Sequence, residues 1–251
     1  MQPTTNSLII ASRRASKLLL RDFYELEMLQ NSSKGTVDFC NKSLQRTKTL
    51  LNDELQKNWK NIVFADEKVD KLLGQDIVLY VHPLEAIGNL SKSLPFFSIV
   101  ITAQKKLNNS LTPICSIIIF PGLHDLYYAE KGGGAWSEKS SLESSSKNAR
   151  LRISGCNTLE NSYIASDKAE PLNKSLKNIR VSGSYAYDLC LLASGKIDAV
   201  CFASLNPILR PGFELFIKEI GGFNYHYNDG MIAANQALGT KLAQLLTETR
   251  A

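Results

Sequence analysis

Apolar side chains recur at helical spacing over residues 7–30, where Leu8, Ala11, Ala15, Leu18, Leu19, Phe23, Leu26 and Leu29 fall on one face of a long helix. The polar run 31–35 predicts its end. A second helix is predicted from near Lys42, with Leu44, Leu51, Leu55 and Trp59 on its inward side. From residue 77 the period changes. IVLYV, 77–81, reads as a buried strand that stops at Pro83, with His82 and Glu85 around the proline and the small residues Ala86, Gly88 and Asn89 beyond it. PFFSIVITA, TPICSIIIF and DLYYAEKGGGAW, separated by turns at 105–110 and 121–122, predict an antiparallel meander. Glycines 132–134 invite comparison with a phosphate cradle. No Lys-Ser/Thr pair follows them and no helix starts there, so a hairpin bend fits better.

Residues 138–150, rich in serine and charge, read as a surface loop and as the seam between two lobes, 1–150 and 151–251. The second lobe predicts strands at 151–154 and 163–166 and a surface segment at 167–178. A helix capped by Ser184 follows, with Tyr187, Leu191 and Leu192 facing inward and Gly195 at its end. A strand at 197–202, a helix at 213–220 closed by Gly221-Gly222, the strand FNYHY, a turn at 228–230, a strand at 231–234 and a helix at 238–246 complete the chain.

The chain has 251 residues, 44% hydrophobic and 21% charged, enough to build a core for one domain or two closely joined lobes. Its net charge of +5 is spread among scattered lysines and arginines, weak ground for a nucleic-acid surface. Arg13, Arg14, Lys17 and Arg21 line the face opposite the apolar side of the first helix, and a solvated face accounts for them better than an acidic partner. The cysteines Cys40, Cys115, Cys156, Cys190 and Cys201 are odd in number and mostly set among apolar neighbours. They read as reduced core residues in a cytoplasmic protein. No apolar run approaches the roughly 20 residues that span a bilayer, and the first residues lack a signal-peptide pattern.

The stretch 82–97, HPLEAIGNLSKSLPFF, resembles the signature of the inositol monophosphatase family, Asp-Pro-Ile/Leu-Asp-Gly-Thr-x-Asn-Phe followed by a Pro-Phe-Phe-like segment. Pro83, Leu84, Asn89, Pro95, Phe96 and Phe97 stand at matching places. Arg21, Asp22, Phe23, Glu27, Leu29, Gln30, Lys34, Gly35, Asp38 and Phe39 resemble the opening of its alphaproteobacterial members. RVSGSYAYDLCLLASGKIDAVCFASLNPILRPG is similar to the family's Arg-x-x-Gly-Ser-Ala-Ala-x-Asp-Leu, Ala-x-Gly-x-x-Asp and Leu-x-Pro-Trp-Asp run. MIAANQAL resembles its closing Val-Ala-Ala-Asn-Pro-x-Leu, so the likeness covers nearly the whole chain.

The resemblance implies an α/β fold, a layered αβαβα sandwich, and a magnesium-dependent phosphatase whose cations are held by three aspartates and a glutamate. At those positions stand His82, Glu85, Leu209 and the pair Asp66-Glu67, with Leu44 at an accessory aspartate. Ala86-Ile87 replace the Gly-Thr pair, and Phe202 replaces a sugar-contacting glutamate. Magnesium wants carboxylate and water oxygens, and a leucine offers none. A glutamate in place of an aspartate displaces its oxygens by about 1.5 Å, where productive geometry tolerates about 0.5 Å. The expectation is a lost magnesium site and no metal cofactor, with Asp66 and Glu67 as the remnants of the catalytic group. Acidic residues in an exposed turn explain that pair equally well.

Two other uses of the site stay open. A zinc ion could take His82 and Glu85 with a third ligand from His124, His226 or Glu67. A small phosphate could sit on backbone N–H groups at Ala86 and Ile87 or near Gly183 and Ser184. Within the family the nearest branch is that of the bacterial extragenic suppressor SuhB, associated with RNA polymerase, Nus-type factors and transcription antitermination and commonly dimeric. The resemblance thus implies a homodimeric, partner-binding pseudoenzyme. The competing expectation is a divergent Mg-dependent phosphatase acting on inositol monophosphate or another small sugar phosphate.

Overall fold

Pro3, whose missing N–H leaves nothing unsatisfied in a first helical turn, opens α1 (Pro3–Met28). The structure, a computed structural model, describes residues 1–28, 33–67, 76–108, 110–139, 147–168, 176–227 and 229–248. Residues 31–32 of the predicted break, Leu29, Gln30, Asn228 and the greater part of the loops at 138–150 and 167–178 lie outside them. Helix α2 (Ser33–Leu55) begins well before the predicted Lys42. Its inward face is partly polar, since Ser43 and Thr47 are buried beside Cys40, Leu51 and Leu55. Ser43 Oγ donates to Asp22 Oδ2 at 2.6 Å, and Thr47 Oγ1 to the Ser43 carbonyl at 2.8 Å. Hydrogen-bonded hydroxyls thus take part of the inward face of α2 that an apolar period would otherwise mark.

Strands β1 (Ile62–Phe64), β2 (Ile77–Glu85), β3 (Ser98–Leu107), β4 (Ser110–Phe120), β5 (Asp125–Glu130), β6 (Gly134–Lys139) and β7 (Lys147–Arg150) form one sheet in that order. Only the β1–β2 pair is parallel; the rest is the expected meander. Strand β2 does not stop at Pro83 as the sequence suggests. A bulge between His82 and Glu85 takes up the proline, and β1 pairs only as far as Val81, so no ladder bond on that side needs the missing N–H. The strand predicted at 151–154 is displaced to the polar edge strand β7, while residues 151–158 carry no regular structure.

The short helix α3 (Ile87–Ser91) follows β2. The second sheet runs β11 (Phe223–Tyr227), β12 (Gly230–Ala234), β10 (Ala199–Phe202), β8 (Tyr163–Ser166), β9 (Asn178–Arg180), with helices α4 (Tyr185–Ala193), α5 (Arg210–Glu219) and α6 (Gln236–Glu248). Both sheets are covered on two faces, which is why their strands read as continuous apolar runs. Ile99, Ile101, Ile117 and Ile119 pack with Leu8, Leu19 and Phe23 of α1 and Leu51 of α2. The alternate residues Val100, Ile118 and Phe120 pack with Leu189 and Leu192 of α4, Phe213 and Phe216 of α5, and Val200 and Met231 of the second sheet. The far face of that sheet, Ile164, Cys201 and Ile232, meets Leu238, Leu242 and Leu246 of α6. The layers are therefore α1/α2, first sheet, α4/α5, second sheet, α6. No helix among the described residues is long and apolar enough to cross a membrane.

Candidate functional site

The bulged end of β2 turns into α3 through Ala86, held at φ 60 and ψ 47. That is left-handed backbone, which disfavours any residue with a Cβ. The corner is pinned by Asn89, whose Nδ2 donates to the Phe96 carbonyl at 2.8 Å and to the Ser182 carbonyl at 3.1 Å. Asn89 thereby ties α3 to the chain entering α4. There Gly183 takes φ +76, and a Cβ would lie 3.0 Å from Asn89 Oδ1, so both conformation and space disfavour a side chain.

Beside this corner lies a cleft of about 260 Å³ lined by Leu44, Gln45 and Lys48 of α2, Ala65 and Asp66 after β1, His82, Pro83 and Leu84 of β2, Ile87 of α3, and Asn206. Leu44, Asp66, His82 and Ile87, all singled out in the sequence, meet here. Lys48 was not singled out. It stands one helical turn after Leu44, and that i, i+4 spacing was the available signal. Its Nζ lies 2.8 and 3.0 Å from the two carboxylate oxygens of Asp66, 3.2 Å from Glu67 Oε1, and 4.7 Å from the centre of the Phe64 ring. Burial alone would lower the Lys48 pKa, but the hydrogen bonds to Asp66 and Glu67 prevail and raise it, while the Lys48 hydrogen bond pulls Asp66 down. Glu67 Oε2 also accepts the Phe64 N–H at 3.2 Å, closing the turn. Burial depresses the His82 imidazole to about 4, so it is neutral at pH 7. Its Nδ1 finds no hydrogen-bond partner among the described residues.

Glu85 does not enter the cleft. Fully buried, it reaches across to the start of α4, where Oε2 accepts from Ser184 Oγ at 2.6 Å and Ser98 Oγ at 3.2 Å, and Oε1 accepts the Tyr185 N–H at 2.9 Å. Ser184 in turn caps the helix by accepting the Tyr187 N–H at 3.1 Å. A helix start attracts acidic groups, and here the protein supplies a carboxyl of its own. The Ser184 N–H is engaged as well, by Ser182 Oγ at 3.1 Å. Burial raises Glu85 to about 7, against the pull of these donors. Asp188, one turn along α4, is raised to about 7 by burial, with Glu85 and Asp167 adding repulsion.

Leu209 is buried in the central core, with 1% of its surface exposed, beside Leu205 and Phe213. His124 lines a separate groove with Arg13 and Lys17, and His226 contacts Arg210, Asn224 and Glu214. Neither lines the cleft of His82. Among the described residues no group of three or more His, Cys, Asp or Glu side chains is placed to hold a metal ion. The chemistry of the donors points the same way for magnesium. Lys48 occupies both oxygens of Asp66 and one of Glu67, Glu85 is spent on α4, and the imidazole and two leucines offer no hard oxygen. The glycine hairpin does cradle an anion, but the anion is Glu219, whose oxygens accept from Gly132 N at 2.8 Å and Gly134 N at 2.9 Å.

Residues 1–246 match the sequence profile of the inositol monophosphatase family. The chain is 25% identical to the Nus factor SuhB of Escherichia coli K12 over 259 aligned positions, covering 94% of this chain and 92% of that protein. It is also 25% identical to an inositol-1-monophosphatase of Rhizobium meliloti, covering 87% and 84% of the two chains. Among solved structures, the extragenic suppressor protein SuhB of Bartonella henselae superposes with a TM-score of 0.79 at 21% identity over 98% of this chain and 99% of that one. An IMPase of Thermotoga maritima gives 0.75 at 20% identity over 98% of each. These two likenesses establish the fold.

Proposed function

The chain belongs to the inositol monophosphatase family, and on that premise we propose that it has given up the family's magnesium-dependent phosphate-ester hydrolysis and acts by binding a partner. One observation carries this reading. Glu85, which the resemblance places at a metal-binding aspartate, is fully buried with three donors on its two oxygens at the start of α4, so recruiting it for a cation means breaking the helix cap. The buried Leu209 and the apolar Leu44 support the same reading. The relatives named Nus factor SuhB make Nus-type factors the partners to try, and the resemblance read from the sequence adds RNA polymerase as a partner and a cytoplasmic homodimer as the form to expect. The relatives named inositol-1-monophosphatase favour the second reading, a divergent phosphatase built around Asp66 and Glu67.

Phosphate release from inositol monophosphate at millimolar Mg²⁺ separates the two. The purified protein is expected to match a blank, while retaining polymerase or a Nus factor in a pull-down. Turnover that scales with enzyme concentration and disappears in Asp66→Asn/Glu67→Gln selects the phosphatase instead.

A further inference from the structure

Asp66 and Glu67 are consecutive carboxylates, and two like charges so close repel unless a cation stands between them. Here one such cation comes from within the chain. Lys48 reaches from α2 over the Phe64 ring to both oxygens of Asp66 and to Glu67, at 2.8, 3.0 and 3.2 Å. Its side chain is only 21% exposed, although the two acids are largely open to solvent. We propose that the Lys48 ammonium is a tethered cation that takes the place of a bound metal in this cleft, holding the turn after β1 against α2. The proposal rests on the reading above that the cleft does not hold the family's cations, and adds what has replaced them.

Three features distinguish this from an ordinary surface pair. One ammonium spans two consecutive carboxylates. It lies over an aromatic face, a position suited to a cation. It also lines the same cleft as Leu44, His82 and Ile87, where side chains without carboxylates stand at the positions that the resemblance assigns to metal and phosphate binding.

The test is thermal denaturation of wild type, Lys48→Gln, Lys48→Arg and Lys48→Gln/Asp66→Asn/Glu67→Gln, each in millimolar MgCl₂ and in KCl of equal ionic strength. Wild type and Lys48→Arg are expected to melt at the same temperature in both salts. Lys48→Gln is expected to melt about 2–4 °C lower in KCl, the shift that about 1 kcal/mol gives in a chain of this size. Magnesium should recover that loss in Lys48→Gln and not in the triple variant. If Lys48→Gln is indifferent to magnesium, the lysine is a simple ion pair and the proposal fails, while the proposed function stands. If wild type is itself stabilised by magnesium, and Asp66→Asn/Glu67→Gln abolishes the gain, the proposal fails and the proposed function is weakened with it. Should Lys48→Gln not fold, a magnesium response in Lys48→Arg would overturn the proposal and its absence would support it.

Discussion

Glu85 is turned away from the cleft onto the start of α4, and its protonation gives that placement a measurable sign. Below about pH 4.5 the carboxyl is protonated whether the chain is folded or not. As the pH rises towards 7 the unfolded chain sheds the proton while the folded one keeps it, so stability falls. The displacement from 4.5 to about 7 corresponds to about 3 kcal/mol. Glu85→Gln removes this loss, so its stability relative to wild type is expected to climb by that order between pH 4.5 and 7 in urea titrations. A flat difference would show that the folded carboxyl is already ionised. His82, held neutral with its pKa near 4, acts in the opposite direction. It stabilises above pH 6.5 and loses that contribution as the pH falls towards 4, and it cancels in the comparison. Ala86 offers a second check. A methyl group at φ 60 is strained by about 1–2 kcal/mol, and glycine's larger unfolded-state entropy returns part of that. Ala86→Gly is thus expected to raise the urea midpoint by the equivalent of about 0.5–1 kcal/mol.

At the level of elements, the sequence was most legible where burial is apolar and two-sided. The continuous apolar runs of β3 and β4 announced strands buried on both faces, and Ser184 announced the start of α4. It was least legible where polar contacts between distant residues decide. The polar inward face of α2 rests on Ser43 bonded to Asp22. The passage of β2 through Pro83 rests on the short reach of β1. The destination of Glu85 rests on a helix about a hundred residues away. No local period encodes such pairings. Helix α5 shows the tightest of these approaches. A Cβ on Gly212 would fall 2.2 Å from Thr102 Oγ1 and 2.5 Å from Ser116 Oγ, two hydroxyls already bonded to each other at 3.0 Å under the helix. Gly212→Ala is expected to cost about 1–3 kcal/mol, with α5 pushed off the first sheet. An unchanged melting temperature would mean that α5 is less closely seated than this geometry requires.

Across the whole molecule, five alternating layers bring α2, the end of β1, the β2–α3 corner and Asn206 to one cleft. On the proposed reading, the scaffold keeps the cleft and exchanges its contents. An ammonium stands between the carboxylates of Asp66 and Glu67, the Glu85 carboxyl sits on the start of α4, Leu44 lines the cleft, and Leu209 is buried in the central core. Fold and activity are separable, because the fold is held by the apolar layers and the activity by a few oxygens. The most direct measurement is a crystal soaked in MnCl₂ and phosphate, with data collected at the manganese absorption edge. The expected map shows no anomalous peak beside Asp66, His82 and Glu85, with Lys48 still on its two carboxylates. Two or more ordered manganese ions in the cleft, with Lys48 displaced and Glu85 swung away from α4, would contradict the central claim.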